Sequence, residues 1–189
     1  KCDFILLWNN DIKPGLDYFH NLYEIINNTD KIDIIASKVY YLDNPELICN
    51  MGFLFNLKTG KKKVIGHNQP DSAIYDKIIE VDCTGGQGVL ISKKVFEKIG
   101  FFDEKTFGRG YGEENDFCMR AASRGWRNVT CSNVFVFHDG GVSFSTEKAS
   151  RDQQAMAILD QKHPPYHRLV HEHLQRDPER AFRVLAQLQ

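Results

Sequence analysis

No stretch of the 189 residues approaches the ~18 consecutive apolar positions that a membrane-spanning helix needs. The chain opens Lys1-Cys2-Asp3 rather than on a basic and then an apolar segment. A cytoplasmic protein is the expectation. Net charge is equally scarce, since 24 basic against 25 acidic residues leave −1. A dedicated nucleic-acid binder would show a basic excess, so no nucleic-acid partner is expected. The five cysteines, at 2, 49, 83, 118 and 131, form no C-x-x-C pair and are odd in number. Neither a zinc motif nor a disulfide framework is suggested, and free cytosolic thiols are the simplest reading. Neither a repeat nor a low-complexity linker interrupts the chain.

What is present is ample core material: 42% of the residues are apolar and 12% aromatic. A chain of this length can bury roughly 70% of its unfolded surface in one domain. One irregularity cuts across it. Residues 1–105 hold 13 Lys and no Arg, whereas residues 106–189 hold 2 Lys and 9 Arg, and 14 of the 15 Ile precede the change. Fold physics dictates neither choice, because Lys and Arg both serve on surfaces and Ile exchanges with Val or Leu in many cores. A chimera joined near Thr106 is the expectation.

Phe4-Ile5-Leu6-Leu7-Trp8 is an apolar run of strand length, read as buried on both faces and stopped by Asn9-Asn10-Asp11. A chain that begins on such a strand implies that an N-terminal portion precedes it. Pro14 marks a helix start, and Leu16, Phe19, Leu22, Tyr23 and Ile26 follow at helical spacing, predicting a helix over 15–28. Strands are expected at 33–41, in a hairpin over 47–65 turning at Lys58-Thr59-Gly60-Lys61, at 78–83 and at 89–92. A helix from Lys93 to Ile99 closes on Gly100, and another over 113–124 closes on Gly125. Two short strands, 127–131 and 134–138, end in His138-Asp139-Gly140-Gly141. Beyond 148 the pattern is helical, broken at Pro164-Pro165 and Pro178.

Four clusters can carry chemistry, and each has a structural reading beside it. Asp11 ends a strand at the edge where open α/β sheets place ligands, and could hold a hard cation or merely cap a turn. The glycines of Thr84-Gly85-Gly86-Gln87-Gly88 admit close backbone approach to a ligand, or to a neighbouring segment. Glu113, Glu114 and Asp116 open a helix after a glycine-rich loop. They either complement its dipole, with Asp116 reaching Arg120, or aim a general base into a pocket. His138 is a solvated strand end or a metal ligand. His163, His167 and His171 share helical spacing, but Pro164-Pro165 interrupts any site they would form.

Taken in order, FILLWNND (4–11), TGGQGVLISKKVFEKIGFFDE (84–104), GYGEENDFCMRAASRGW (110–126) and VFVFHDGGVSF (134–144) resemble the inverting family-2 glycosyltransferases, particularly a bacterial group linked to surface polysaccharides. The resemblance implies an α/β GT-A domain: a Rossmann-like mixed sheet flanked by helices, incomplete at its N-terminus. It would occupy residues 1–147, with a helical tail over 148–189. It further implies that Asp11 and His138 hold Mg²⁺ or Mn²⁺. Trp8, Asn9, Asn10, Gly85 and Gly86 would lie against donor and acceptor, and Glu114, with Glu113 beside it, would serve as base. The partners implied are a nucleoside-diphosphate sugar and a glycan or lipid-linked acceptor at the inner face of the membrane. Glu114 is expected to face the cleft containing Asp11, and Asp116 to turn away toward Arg120.

Two other readings accompany this one, a non-catalytic glycosyltransferase fragment or assembly module and a sugar nucleotidyltransferase. In the tail, Arg176, Arg180 and Arg183 share one helical face and Phe182, Leu185 and Leu188 another. That pattern suits docking within the molecule or a homo-oligomer better than a peripheral membrane contact, because three arginines supply only ~3 kcal/mol at an anionic surface.

Overall fold

The computed structural model describes residues 2–29, 32–56, 61–108, 112–139 and 148–164. The elements in order are β1 (Phe4–Leu7), β2 (Ile12–Pro14), α1 (Tyr18–Asn28), β3 (Ile34–Tyr41), β4 (Leu47–Asn50), β5 (Phe53–Asn56), β6 (Lys61–Val64) and β7 (Gln69–Pro70). A single 3-10 turn, Ala73–Tyr75, leads to β8 (Ile78–Glu80), β9 (Val89–Ser92), α2 (Lys93–Ile99), α3 (Glu104–Phe107), α4 (Glu113–Ala122), β10 (Asn128–His138) and α5 (Lys148–Lys162).

The main sheet runs β1-β9-β3-β10-β2, with β4 and β8 paired to β3 and β10 and β7 to β4. β10 lies parallel to β3 and antiparallel to β2, and β9 is antiparallel to both its neighbours, so the sheet is mixed as expected. β5 and β6 form a separate hairpin, whose turn residues lie outside the described ones.

Alternation along β3 explains why both faces are covered. Ile35 and Val39 point to one side, where Tyr18, Leu22 and Ile25 of α1 pack with Leu90, Val129 and Val136. Ile34 and Ala36 point to the other, against Val95 and Phe96 of α2 and Phe117 and Ala121 of α4. Each buried branched aliphatic or aromatic side chain contributes ~1.5–3 kcal/mol. The sheet is thereby covered by a cluster on each face, α1 on one side and α2 with α4 on the other.

The structure corrects four expectations about elements. β1 is an edge strand rather than one buried on both faces: it pairs with β9 on one side, and Ile5 is 37% exposed. Pro14 does not start a helix. It closes β2, where its missing N–H costs little on an edge strand, and α1 begins after Asp17. The segments 127–131 and 134–138 are one strand, because both follow β3 in parallel. The irregularity between Cys131 and Phe135 is absorbed as a bulge rather than a turn. The expected strand over 78–83 shortens to β8, with Cys83 making an isolated bridge to Phe53.

The helix that ends at Gly100 is found as read. Among the described residues no helix is long and apolar enough to cross a membrane. The amphipathic segment 176–188 and residues 140–147 lie outside the described residues.

Candidate active site

The C-terminal end of β1, the loop before β9 and the entries of α3 and α4 surround a cleft of about 620 Å³. It is lined by Leu7, Asn9, Gly86, Gln87, Phe102, Glu104, Gly108, Glu113 and Glu114. Topology produces it: β1 and β9 are antiparallel neighbours, so the end of one meets the approach to the other.

The loop is fastened from beneath. The Cys83 thiol donates to Asn115 Oδ1 on α4 at 2.7 Å and lies 3.1 Å from the Thr84 carbonyl oxygen, and the Thr84 hydroxyl is 3.7 Å from Cys118 Sγ. At the far end Ser37 Oγ donates to the Gly88 carbonyl at 2.6 Å. These ties connect the glycine loop to the helix that carries the acids.

Gly86 is where the two meet most closely. A Cβ built there would stand 2.9 Å from Glu114 Oε1, so the carboxylate rests on the bare Cα and only glycine leaves it room. Glu113, in the first turn of the same helix, has Oε2 buried with no hydrogen-bond partner. Burial pushes its carboxyl above the ordinary range, and the nearby Glu104 charge adds to the shift. Gln87 also presents a buried, unpartnered oxygen, Oε1. Both oxygens are buried beneath the cleft surface, Gln87 Oε1 against the Gly85 Cα.

Asp116 points elsewhere. It is fully buried and receives Arg120 Nε at 2.7 Å, while Arg120 also donates to the carbonyls of Ile99 and Phe101. Positions two apart on a helix lie on opposing sides, which puts Glu114 at the cleft and Asp116 behind it.

Asp11 and His138 meet at the other end of the turn that begins at Asn9. The pairing of His138 with Ile12 places Asp11 one residue away, and the Asp139 N–H donates to the Asp11 carbonyl at 3.1 Å. The two side chains approach to 3.3 Å, Asp11 Oδ2 to His138 Nε2, while Asp11 Oδ1 and His138 Nδ1 are buried without a hydrogen-bond partner. A carboxylate and an imidazole with unused donor atoms fit a divalent cation such as Mn²⁺ or Mg²⁺. Among the described residues no group of three or more His, Cys, Asp or Glu gathers, so a cation here would complete its shell with ligand oxygens.

Of the residues nominated from the sequence, Asn9, Gly86, Glu113 and Glu114 line the cleft together, and Asp11 and His138 pair two residues beyond Asn9. Gly85 lies buried behind the loop, its Cα facing Gln87 Oε1 and the Asn50 amide. Asn10 is exposed in the turn. Trp8 faces away from the cleft, stacked on Phe19 at 6.3 Å and edge-on to Tyr18 at 5.4 Å. His163 takes no part in a histidine cluster and bonds Asp116 instead, while His167 and His171 lie outside the described residues. Gln87, Phe102 and Glu104 were missed, although they stand inside motifs singled out for their glycines or as a whole.

The family model "Glycosyltransferase like family 2" matches residues 1–164, across the composition change at Thr106. No curated protein matches. Among solved structures the chain is similar to GalNAc-T7, crystallised with UDP, GalNAc and Mn²⁺, at 10% identity and a TM-score of 0.59 over 84% of this chain and 31% of that one. It also overlaps A197 from STIV at 17% identity and a TM-score of 0.43, over 72% of this chain and 57% of that one. The chain thus spans less than two thirds of the length of either. The GT-A fold assignment rests on the GalNAc-T7 likeness.

Proposed function

The chain belongs to glycosyltransferase-like family 2, and from that premise we propose that it moves a sugar from a nucleoside-diphosphate donor to an acceptor hydroxyl with inversion, Glu114 acting as base. The observation that supports this most directly is the placement of Glu114 against Gly86 in the cleft, although Asp11 and His138, expected in the same cleft, pair outside its lining residues.

Glu114 takes the proton of the acceptor hydroxyl, that oxygen bonds to the anomeric carbon, and the bond to the diphosphate breaks with its electron pair on the phosphate oxygen. Attack opposite the leaving group inverts the configuration. Glu113 stands beside the base in the first turn of α4, its own carboxyl pushed up by burial. Gln87, Asn9 and the Phe102 ring orient the sugars, the first two through hydrogen bonds and the third by apolar contact. Asp11 and His138 would hold Mg²⁺ or Mn²⁺, which when bound neutralises charge on the departing diphosphate.

The acceptor is a glycan or lipid-linked saccharide, and the enzyme works at the cytoplasmic side of a membrane in making surface polysaccharide. Isothermal titration with a panel of nucleoside diphosphates, with and without Mn²⁺, tests the donor half of this reading. Mn²⁺-dependent binding of one diphosphate is expected. No binding of any, with or without the ion, would favour the non-catalytic module instead.

A further inference from the structure

We propose that Lys162 and His163, at the end of α5, are positioning residues for the Glu113–Glu114 pair and act through Asp116. The proposal rests on the reading of Glu114 as base. Asp116 is already served within its own helix by Arg120, four residues on. Yet its second oxygen receives two more donors from a distant part of the chain, His163 Nε2 at 2.8 Å and Lys162 Nζ at 3.2 Å. Burial alone would raise this carboxyl. The bonds from His163 and Arg120, with Lys162 behind them, hold it well below the usual carboxylate range instead. The fully buried Asp116 carboxylate is thus tied by charge-assisted bonds to side chains of two helices, which fixes its geometry.

The same end of α5 also holds the opposite lip of the cleft. Lys162 Nζ donates to Asp103 at 2.6 Å, and Asp103 caps α3 by accepting from the Thr106 N–H. The Lys162 ammonium stands 5.2 Å from the Phe107 ring centroid. α3 and its flanks supply Phe102, Glu104 and Gly108 to the cleft wall. About two turns earlier on α5, Met156 packs on the cluster of Cys83, Cys118 and Met119, which underlies the glycine loop.

Ala155 completes the arrangement. Gly112 enters α4 with φ of 92°, and a Cβ there would lie 2.9 Å from Ala155 Cβ and 2.8 Å from the Phe107 ring. α5 therefore touches α4 twice, at the residue just before Glu113 and at the residue two beyond Glu114. Between those points a slide or turn of the helix breaks the bonds to Asp116 or presses Gly112 into Ala155 and the Phe107 ring. The aim of the two glutamates is set by this double attachment, which Arg120 alone would leave free at the helix entry.

The test uses the full chain with Lys162→Ala/His163→Ala, His163→Ala alone and His163→Gln, which keeps a hydrogen-bond donor. The exposed Gln161→Ala serves as control. The first readout is the Glu113 side-chain carboxyl titration by ¹³C NMR, assigned with Glu113→Gln. The second is kcat against donor KM with the nucleotide sugar that the wild type consumes.

We expect the raised Glu113 titration to fall back toward the ordinary carboxyl range in the alanine variants. kcat should drop ~10- to 100-fold with donor KM kept, the scale of loss for a misplacement of about 1 Å. His163→Gln should restore both. A Glu113 titration that stays raised in His163→Ala and in the double variant overturns the proposal. So does a kcat that falls only in step with the melting temperature and is not rescued by glutamine. If the wild type consumes no donor, the reading of Glu114 as base fails, while the titration still decides whether α5 sets the position of the pair.

Discussion

Gly86→Ala isolates the contact on which the catalytic reading depends. The backbone at Gly86 does not require a positive φ, so alanine meets no conformational penalty there. Its methyl would sit 2.9 Å from Glu114 Oε1, and ordinary contact begins near 3.4 Å, so the carboxylate must retreat by about 0.5 Å. The atom that gives way is the end of a flexible side chain, and a rotamer adjusted by ~30° costs about 0.5–1.5 kcal/mol. Against that, replacing glycine by alanine stabilises by ~0.4–1 kcal/mol through the unfolded chain. The two nearly cancel. The melting temperature should stay within about 4 °C of wild type, since ~1 kcal/mol moves a domain of this size by ~2–4 °C.

Catalysis has no such compensation. A base withdrawn by half an ångström from the acceptor loses a large part of a factor that reaches ~10² for 1 Å, so kcat should fall about tenfold. Thermal melts followed by circular dichroism and steady-state release of nucleoside diphosphate measure the two quantities on one preparation. An unchanged kcat with an unchanged melting temperature would refute the argument that Glu114 must occupy its observed place.

Glu114→Gln should lower kcat by ~10²–10⁴-fold with donor affinity kept, as expected for losing general-base help, and steady-state kinetics would show it. Asp11→Asn should weaken Mn²⁺-dependent diphosphate binding in calorimetry while leaving metal-free binding as it was, since Asp11 and His138 are assigned to the cation. Acid should destabilise the fold by way of α5. Lys162 holds Asp103 at about 2, and Asp116 is held lower still, so their stabilisation is complete above the unfolded carboxyl value of ~3.9 and fades as pH falls through the folded values. The melting temperature should therefore drop between pH ~4 and ~2. Lys162→Ala, which weakens both attractions, should flatten that drop; an equal drop in the variant would be the contrary result.

Local periodicity carried most of the framework. β3 and β9 are dense apolar runs, α2 stops at the glycine that sequence logic assigns to a helix end, and α4 follows its acidic first turn. β2 escaped notice because three residues ending in proline show no period, and Pro14 has an equally good meaning at a helix start. β10 read as two strands because Ser132-Asn133 looks like a turn until a parallel partner is present to carry the strand past it.

At the site, Glu113 and Glu114 stood out because they open a helix and His138 because it ends a strand, whereas Asp11, read as a strand end, stands in the turn before β2. Gln87 and Glu104 did not, since their role comes from a cleft wall assembled from separate loops. The bond from His163 to Asp116 spans 47 residues and breaks no local rule, so nothing near either residue announces it.

The most direct test of the central claim is the anomeric configuration of the product, read from the ¹H coupling constant of the new glycosidic linkage. The donor is the nucleotide sugar found to be consumed with Mn²⁺, presented with a saccharide acceptor. A single displacement at the Glu114 cleft predicts a product whose anomeric configuration is opposite to the donor's, formed by the wild type and lost in Glu114→Gln. A product that keeps the donor's configuration, or transfer that persists undiminished in Glu114→Gln, would contradict the assignment.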